Sequence, residues 1–189
     1  IPFTEPLGLF LKEQSPSYGL PFLLTLMARL LPILKACHRA NCVHLDIHPN
    51  NILVKGNVDP STKQVICEQV VLIDFATTMD VFSSRRTAGS EAMDDPKTPH
   101  ATVVDGYRAF LHPFLRQYLD AGKPVPKAAL RSPNAKRFDL FAVARCLEEV
   151  LIRASIPQEE GISTKSISFV LEKLRNEGDR IEYDIDMAL

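Results

Sequence analysis

The sequence predicts an α+β, mainly helical domain, and three observations carry that expectation. Apolar residues recur at helical spacing across residues 21–40. Two β-branched runs, separated by turn chemistry, lie within residues 52–73. A strongly apolar segment spans residues 137–152. At 189 residues the chain fits one domain. Its 46% hydrophobic content is enough to fill a core.

Pro21 suits the first position of a helix, where its missing N–H costs nothing. Phe22, Leu23, Leu26, Met27, Leu30, Leu31 and Leu34 then share one face, as a core-packing stripe does. Pro32 opposes this helix, because an interior proline costs about 3 kcal/mol. A bend near Leu31 is therefore expected. Ile52 to Lys55 and Val70 to Ile73 read as strands. Gly56 to Lys63 reads as the turn between them. Val65-Ile66-Cys67 either extends the second strand or adds a short one.

Periodicity fades from Thr77 to His112, where Ser83, Ser84, Arg85, Arg86, Gly89, Asp94, Asp95 and Pro96 fall. A loop of that length is uncommon in a compact domain and is usually functional or mobile. Pro113 to Leu119 reads as a short helix. Residues 121–133 read as a basic linker whose Lys123, Lys127 and Arg131 are solvated. The helix over 137–152 carries Asp139 near its start, where aspartate is favoured as a cap. Residues 163–176 read as a last amphipathic helix, followed by a loose acidic tail over 182–186.

The net charge of −1, with 24% charged residues, gives no bulk attraction to nucleic acid or to a membrane surface. Arg29 and two prolines interrupt the apolar stretch near residues 20–34, so no membrane span is predicted. Nor does a charged-then-apolar leader open the chain. Cys37, Cys42, Cys67 and Cys146 form no C-x-x-C pair and read as free thiols of a reducing compartment, cytoplasmic or nuclear.

The motif with most chemical content is His44-Leu45-Asp46-Ile47-His48-Pro49-Asn50-Asn51, an H-x-D-x-x-x-x-N pattern. One apolar run follows it, and a second delivers Asp74-Phe75. The order is loop, strand, turn, strand, carboxylate. Pro49 stiffens the loop between Asp46 and Asn51. Three outlying features accompany it. Leu34-Lys35-Ala36-Cys37-His38 ends the preceding helix. Phe75 follows Asp74. Asp139 opens the Asp139-to-Leu151 helix.

Together these features resemble the protein-kinase-like phosphotransferases: the loop is similar to their catalytic loop, Asp74-Phe75 to the start of their D-F-G element, and the Asp139 segment to their buried aspartate-led helix. The resemblance covers nearly the whole chain, 1–189, but only the large lobe of the fold. It implies a hinge region over 1–12, a catalytic loop over 44–51 and an activation-type segment over 74–113. A short β-hairpin would carry the catalytic and metal-binding loops. The implied reaction transfers the γ-phosphoryl group of ATP to a protein Ser/Thr hydroxyl. Asp46 would take the hydroxyl proton, and His44 would hold the catalytic loop. Asn51 and Asp74 would bind Mg2+ against the phosphates through hard oxygen donors. Glu5 and Leu7 would border the adenine through hinge backbone groups. Asp139 would hold the loop backbone.

Several positions depart from the family pattern. Ala76 replaces the glycine after Asp74-Phe75, and alanine takes a positive φ poorly. Leu45 replaces an arginine that pairs with a phosphorylated activation loop in many protein kinases. His48 stands where lysine is usual, which is closer to small-molecule (aminoglycoside- and choline-type) phosphotransferases and to divergent fungal kinase-like proteins. Phe114 replaces a glutamate at the end of the activation-type segment. No Gly-rich loop or strand lysine fits before the first helix, so a missing small lobe or partner is expected, with little turnover from this chain alone. A pseudokinase or interaction module is the functional rival. Cys37, His38, Cys42, His44 and His48 form a dense set of soft ligands, but their spacing matches no common zinc site.

Overall fold

The two β-branched runs meet as an antiparallel pair, because their period-two alternation gives each strand one core-facing row. The computed structural model describes residues 4–13, 18–77, 79–80, 105–123, 125, 127–130, 135–153 and 172–173. Within them the order is β1 (Glu5–Pro6), α1 (Leu7–Glu13), α2 (Leu20–Arg39), β2 (Cys42–Val43), β3 (Ile52–Val58), β4 (Val65–Leu72) and β5 (Met79–Asp80). Then follow a 3-10 turn at Asp105–Phe110, α3 (Pro113–Asp120), α4 (Lys127–Leu130) and α5 (Lys136–Arg153). The fold is α+β and rich in helix. Its three-stranded antiparallel sheet runs β1-β3-β4, and β2 pairs separately with β5.

The hairpin is longer than its β-branched cores. Gly56, Asn57 and Val58 belong to β3 rather than to the turn, and Val65 to Cys67 extend β4. Gly56 fits a strand here because the Phe10 ring lies over its backbone. A Cβ on Gly56 would stand 2.6 Å from a ring carbon of Phe10. The register shifts between Lys55 and Gly56. The turn proper is closed by Asp59, whose carboxylate accepts from the Ser61 N–H at 2.8 Å.

α2 covers the free edge of β4. The Cys67 N–H donates to Thr25 Oγ1 at 2.8 Å, and Arg29 Nε donates to the Cys67 carbonyl at 2.8 Å. Those bonds satisfy an edge that would otherwise be open to pairing. The helix continues through Pro32 and is not broken at Leu31. Magnitudes explain this: the proline penalty is about 3 kcal/mol, whereas each fully buried leucine contributes about 2 kcal/mol. Leu20, Leu23, Leu26, Leu30, Leu31 and Leu34 are all buried, and Pro32 is on the exposed side. Asn41, just past the end of α2, takes a left-handed φ of 60° that stops the helix. By length and hydropathy α2 reaches the range of a membrane-crossing helix, contrary to the expectation drawn from its prolines and Arg29. A core helix passes the same test, and here α2 packs on β4 and α5.

α5 joins two cores. Leu140, Val143, Ala144, Leu147 and Val150 enter the main cluster with α2 and the sheet. Phe138 enters a second cluster with Val43, Leu45, Leu111, Leu115, Leu130 and Ala135. Successive residues at 100° intervals allow one helix to serve both, with Asp139 between them. Of the expected linker over 121–133, Lys127–Leu130 form α4, and Leu130 is buried. Residues 78 and 81–104 of the expected activation-type segment lie outside the described residues. So do the tail over 182–186 and the helix expected over 163–176, apart from Glu172 and Lys173.

Candidate functional site

Asp139 lies in the first turn of α5 and is fully buried. Its Oδ1 accepts from the Leu45 N–H at 2.8 Å, and its Oδ2 accepts from the His44 N–H at 2.8 Å. The same Oδ2 accepts from His38 Nε2 at 2.9 Å. One carboxylate therefore ties the end of α2, the loop after β2 and α5 together. Its bonds go to the loop, so the capping role suggested by its position is not the one it plays.

Leu45 takes a φ of 67°, a left-handed conformation that costs a non-glycine residue about 1–2 kcal/mol. Hydrogen bonds to a charged group contribute about 1.5–3 kcal/mol each, so the two amide bonds to Asp139 outweigh that strain. The Leu45 side chain turns into the second apolar cluster. An apolar residue suits this position because its surroundings are apolar.

His44 is held by both ring nitrogens. Nε2 lies 3.0 Å from the Ile73 carbonyl, and Nδ1 accepts from the Asp46 N–H at 3.3 Å. Those partners assign the ring proton to Nε2. The ring packs against Phe75 with centroids 4.7 Å apart. Through these two bonds the His44 ring pins the loop to the residue after β4.

Asp46 is buried, and its two carboxylate oxygens face different partners. Oδ2 accepts from Asn51 Nδ2 at 3.3 Å, and the Asp46 carbonyl accepts from the same nitrogen at 2.9 Å. Oδ1 faces His48 Nε2 at 3.7 Å, which is long for a hydrogen bond, so the attraction is mainly electrostatic. The His48 imidazole holds the Asp46 carboxyl below its ordinary value of 3.8. His44 and the Asn51 amide add to this, while burial opposes it. Asp46 is thus kept as an anion with its position fixed.

Asn51 spends its amide nitrogen on Asp46, which leaves its side-chain oxygen as a hard acceptor. Its carbonyl accepts from the Ile73 N–H at 3.0 Å, so Asn51 and Asp74 are brought close along adjoining strand ends. Asp74 is exposed, with φ at 63°. The left-handed residue in this turn is therefore Asp74 and not Ala76, so the missing glycine is not felt at position 76. Aspartate tolerates that conformation better than most residues. Residues Phe75–Thr77 then make one 3-10 turn.

Glu5 lies opposite Val54 at the edge of the sheet. Leu7 is fully buried in the main core, so any ligand contact from that position falls to its backbone. The next residue reaches the loop: the Gly8 N–H donates to the Pro49 carbonyl at 3.1 Å. A Cβ on Gly8 would stand 2.6 Å from Asn50 Oδ1, so a side chain there would push aside the Asn50 amide. A groove of about 230 Å³ opens here, with Lys12, Asn50, Glu149 and Arg153 on its walls.

Asn51 and Asp74 offer oxygen donors of the type Mg2+ prefers, one carboxylate and one amide. Among the described residues no group of three or more His, Cys, Asp and Glu forms a metal cluster. That also bears on the soft-ligand set. His38 bonds Asp139, His44 bonds Ile73, and His48 stacks on Tyr107. Cys37 and Cys42 are partly buried near the end of α2. Burial pushes the Cys37 thiol up.

Tyr107 is the site residue that the motifs did not reveal. Its ring lies parallel to His48, with centroids 3.5 Å apart and planes 10° apart. Its hydroxyl accepts from Asn50 Nδ2 at 2.7 Å. His48 is marked in the sequence by standing where lysine is usual, and Tyr107 falls within the expected activation-type segment, but nothing in the sequence joins the two. No family model matches the chain, and a search of curated proteins gives no match either.

Proposed function

We propose that this chain is the large lobe of a protein-kinase-like phosphotransferase, which moves the γ-phosphoryl group of ATP to a hydroxyl of a protein acceptor. The observation that carries the reading is the Asp139 carboxylate on the His44 and Leu45 amides. It links the two motifs on which the resemblance rests, although they are far apart in the chain. The His44 bond to the Ile73 carbonyl adds the third segment.

In this reading Asp46, buried and held anionic, orients the acceptor hydroxyl and takes its proton. Asn51 offers its side-chain oxygen, and Asp74 its exposed carboxylate, as ligands for Mg2+. When bound, Mg2+ neutralises charge on the nucleotide phosphates. Phosphoryl transfer depends on such positioning and electrostatics more than on covalent chemistry. The groove beside Asn50 gives an acceptor polypeptide a place to lie. A binding module without turnover is the second reading, favoured by Phe114, which packs on the second apolar cluster where the resemblance calls for a glutamate.

Thermal unfolding with and without Mg2+-ATP tests the proposal. The expected result is a rise in melting temperature that needs Mg2+ and disappears in Asp74→Asn. A folded chain with no such rise counts against the phosphotransferase reading and for the binding module.

A further inference from the structure

The 3-10 turn at Asp105–Phe110 is not regular. Tyr107 leaves helical geometry at φ −122° and ψ 24°. Its side chain then meets two residues of the catalytic loop at once. The ring covers the His48 imidazole at 3.5 Å, and the hydroxyl holds the Asn50 amide at 2.7 Å. These two residues flank Pro49, so Tyr107 grips the loop on both sides of its stiffest point. His48 is 4% exposed. Its Nδ1 accepts from the Asn50 N–H at 3.2 Å, which assigns the ring proton to Nε2. That Nε2–H is the group facing Asp46 Oδ1.

The two oxygens of Asp46 are thus held from different sides. Asn51 holds Oδ2, and Asn51 is itself fixed by backbone bonds to His48 and Ile73. His48 faces Oδ1, and the Tyr107 ring restricts rotation of the imidazole. We propose that Tyr107 is a positioning residue for Asp46, acting through His48, and that it ties the Asp105–Phe110 turn to the base of the catalytic loop. The catalytic meaning of this coupling rests on the phosphotransfer reading above; the coupling itself does not. Chemically, a carboxylate can take a hydroxyl proton only if one lone pair is aimed at it. A second group on Oδ1 selects which rotamer does so.

The test needs no turnover. In the isotope-labelled chain, NMR reads proton contacts between the Tyr107 and His48 rings, and Asp46 χ1 from its Hβ couplings. The variants are Tyr107→Phe, Tyr107→Leu and His48→Ala, with chemical shifts of Leu23 and Leu147 reporting the distant core. The expected pattern is one Asp46 rotamer in the native chain and in Tyr107→Phe, which keeps the ring. Rotamer averaging is expected in Tyr107→Leu and His48→Ala, with the core unchanged. A folded Tyr107→Leu whose Asp46 keeps one rotamer overturns the proposal. So does a native chain with no contact between the two rings. Should Tyr107→Leu not fold, His48→Ala decides, since a fixed Asp46 there breaks the coupling. Intact coupling in a chain that shows no Mg2+-ATP binding removes the phosphotransfer reading and leaves the Tyr107–His48–Asp46 link standing.

Discussion

A single buried carboxylate does the most to assemble this site. Asp139 accepts from two backbone amides and one imidazole while fully buried. Removing one partner from such a buried set typically costs about 3–5 kcal/mol. Asp139→Ala is expected to lose stability of that order by chemical denaturation, and Asp139→Asn less, because it keeps one acceptor. A second expectation concerns acid. The Asp46 carboxyl is held below 3.8 in the folded chain, so the unfolded chain binds its proton first as pH falls. Its contribution to stability is complete above the unfolded value. It is then lost as pH drops through the lower folded value. Denaturation midpoints followed down through that window are expected to fall more steeply for the native chain than for Asp46→Asn. Equal slopes would show that the His48 and Asn51 contacts do not stabilise the anion. At this scale the sequence made His44, Asp46, Asn51 and Asp74 legible, because their spacing is local. The partner roles of His48 and Tyr107 were not legible, because a ring stack depends on where a distant segment returns.

Elements followed their patterns where packing agreed with propensity. α2 and α5 were readable from apolar spacing, since each buries one continuous face. β3 was not readable beyond Lys55. Gly56 and Asn57 look like turn residues, and only the Phe10 ring above Gly56 explains why a strand continues there. That ring stacks on Phe22 with centroids 4.7 Å apart and has little room to retreat. Gly56→Ala is therefore expected to destabilise the chain by about 1–3 kcal/mol, the usual range for overpacking. Thermal or urea unfolding checks this. An unchanged midpoint would mean that Phe10 moves freely and that α1 is loosely attached to the sheet.

Across the whole molecule, two apolar clusters meet at α5, and the candidate site lies where they join. The cysteines report how firmly this core is closed. Burial pushes the Cys67 thiol up to about 11 and drives the Cys146 thiol higher still. Thiolate is the reactive form. Alkylation at mildly basic pH is expected to label partly buried Cys42 in the native chain. It should spare Cys67 and Cys146 until denaturant is added, with mass spectrometry locating the adducts. Native labelling of Cys146 would show that α5 opens readily from α2.

The sequence by itself determined the helical periodicities, the strand cores and the local order of histidine, acid and amide, because these depend on neighbours within a few residues. Only the tertiary structure decided which groups satisfy one another. That Asp139 holds the loop backbone was already implied by the resemblance, but the fold decided which oxygen takes which amide and added His38 to the set. The positive φ fell on Asp74 and not on Ala76. Tyr107 came to rest on His48. The Asp139 and Tyr107 contacts join segments brought together by burial, and burial of the whole chain is a property that no short stretch of residues encodes.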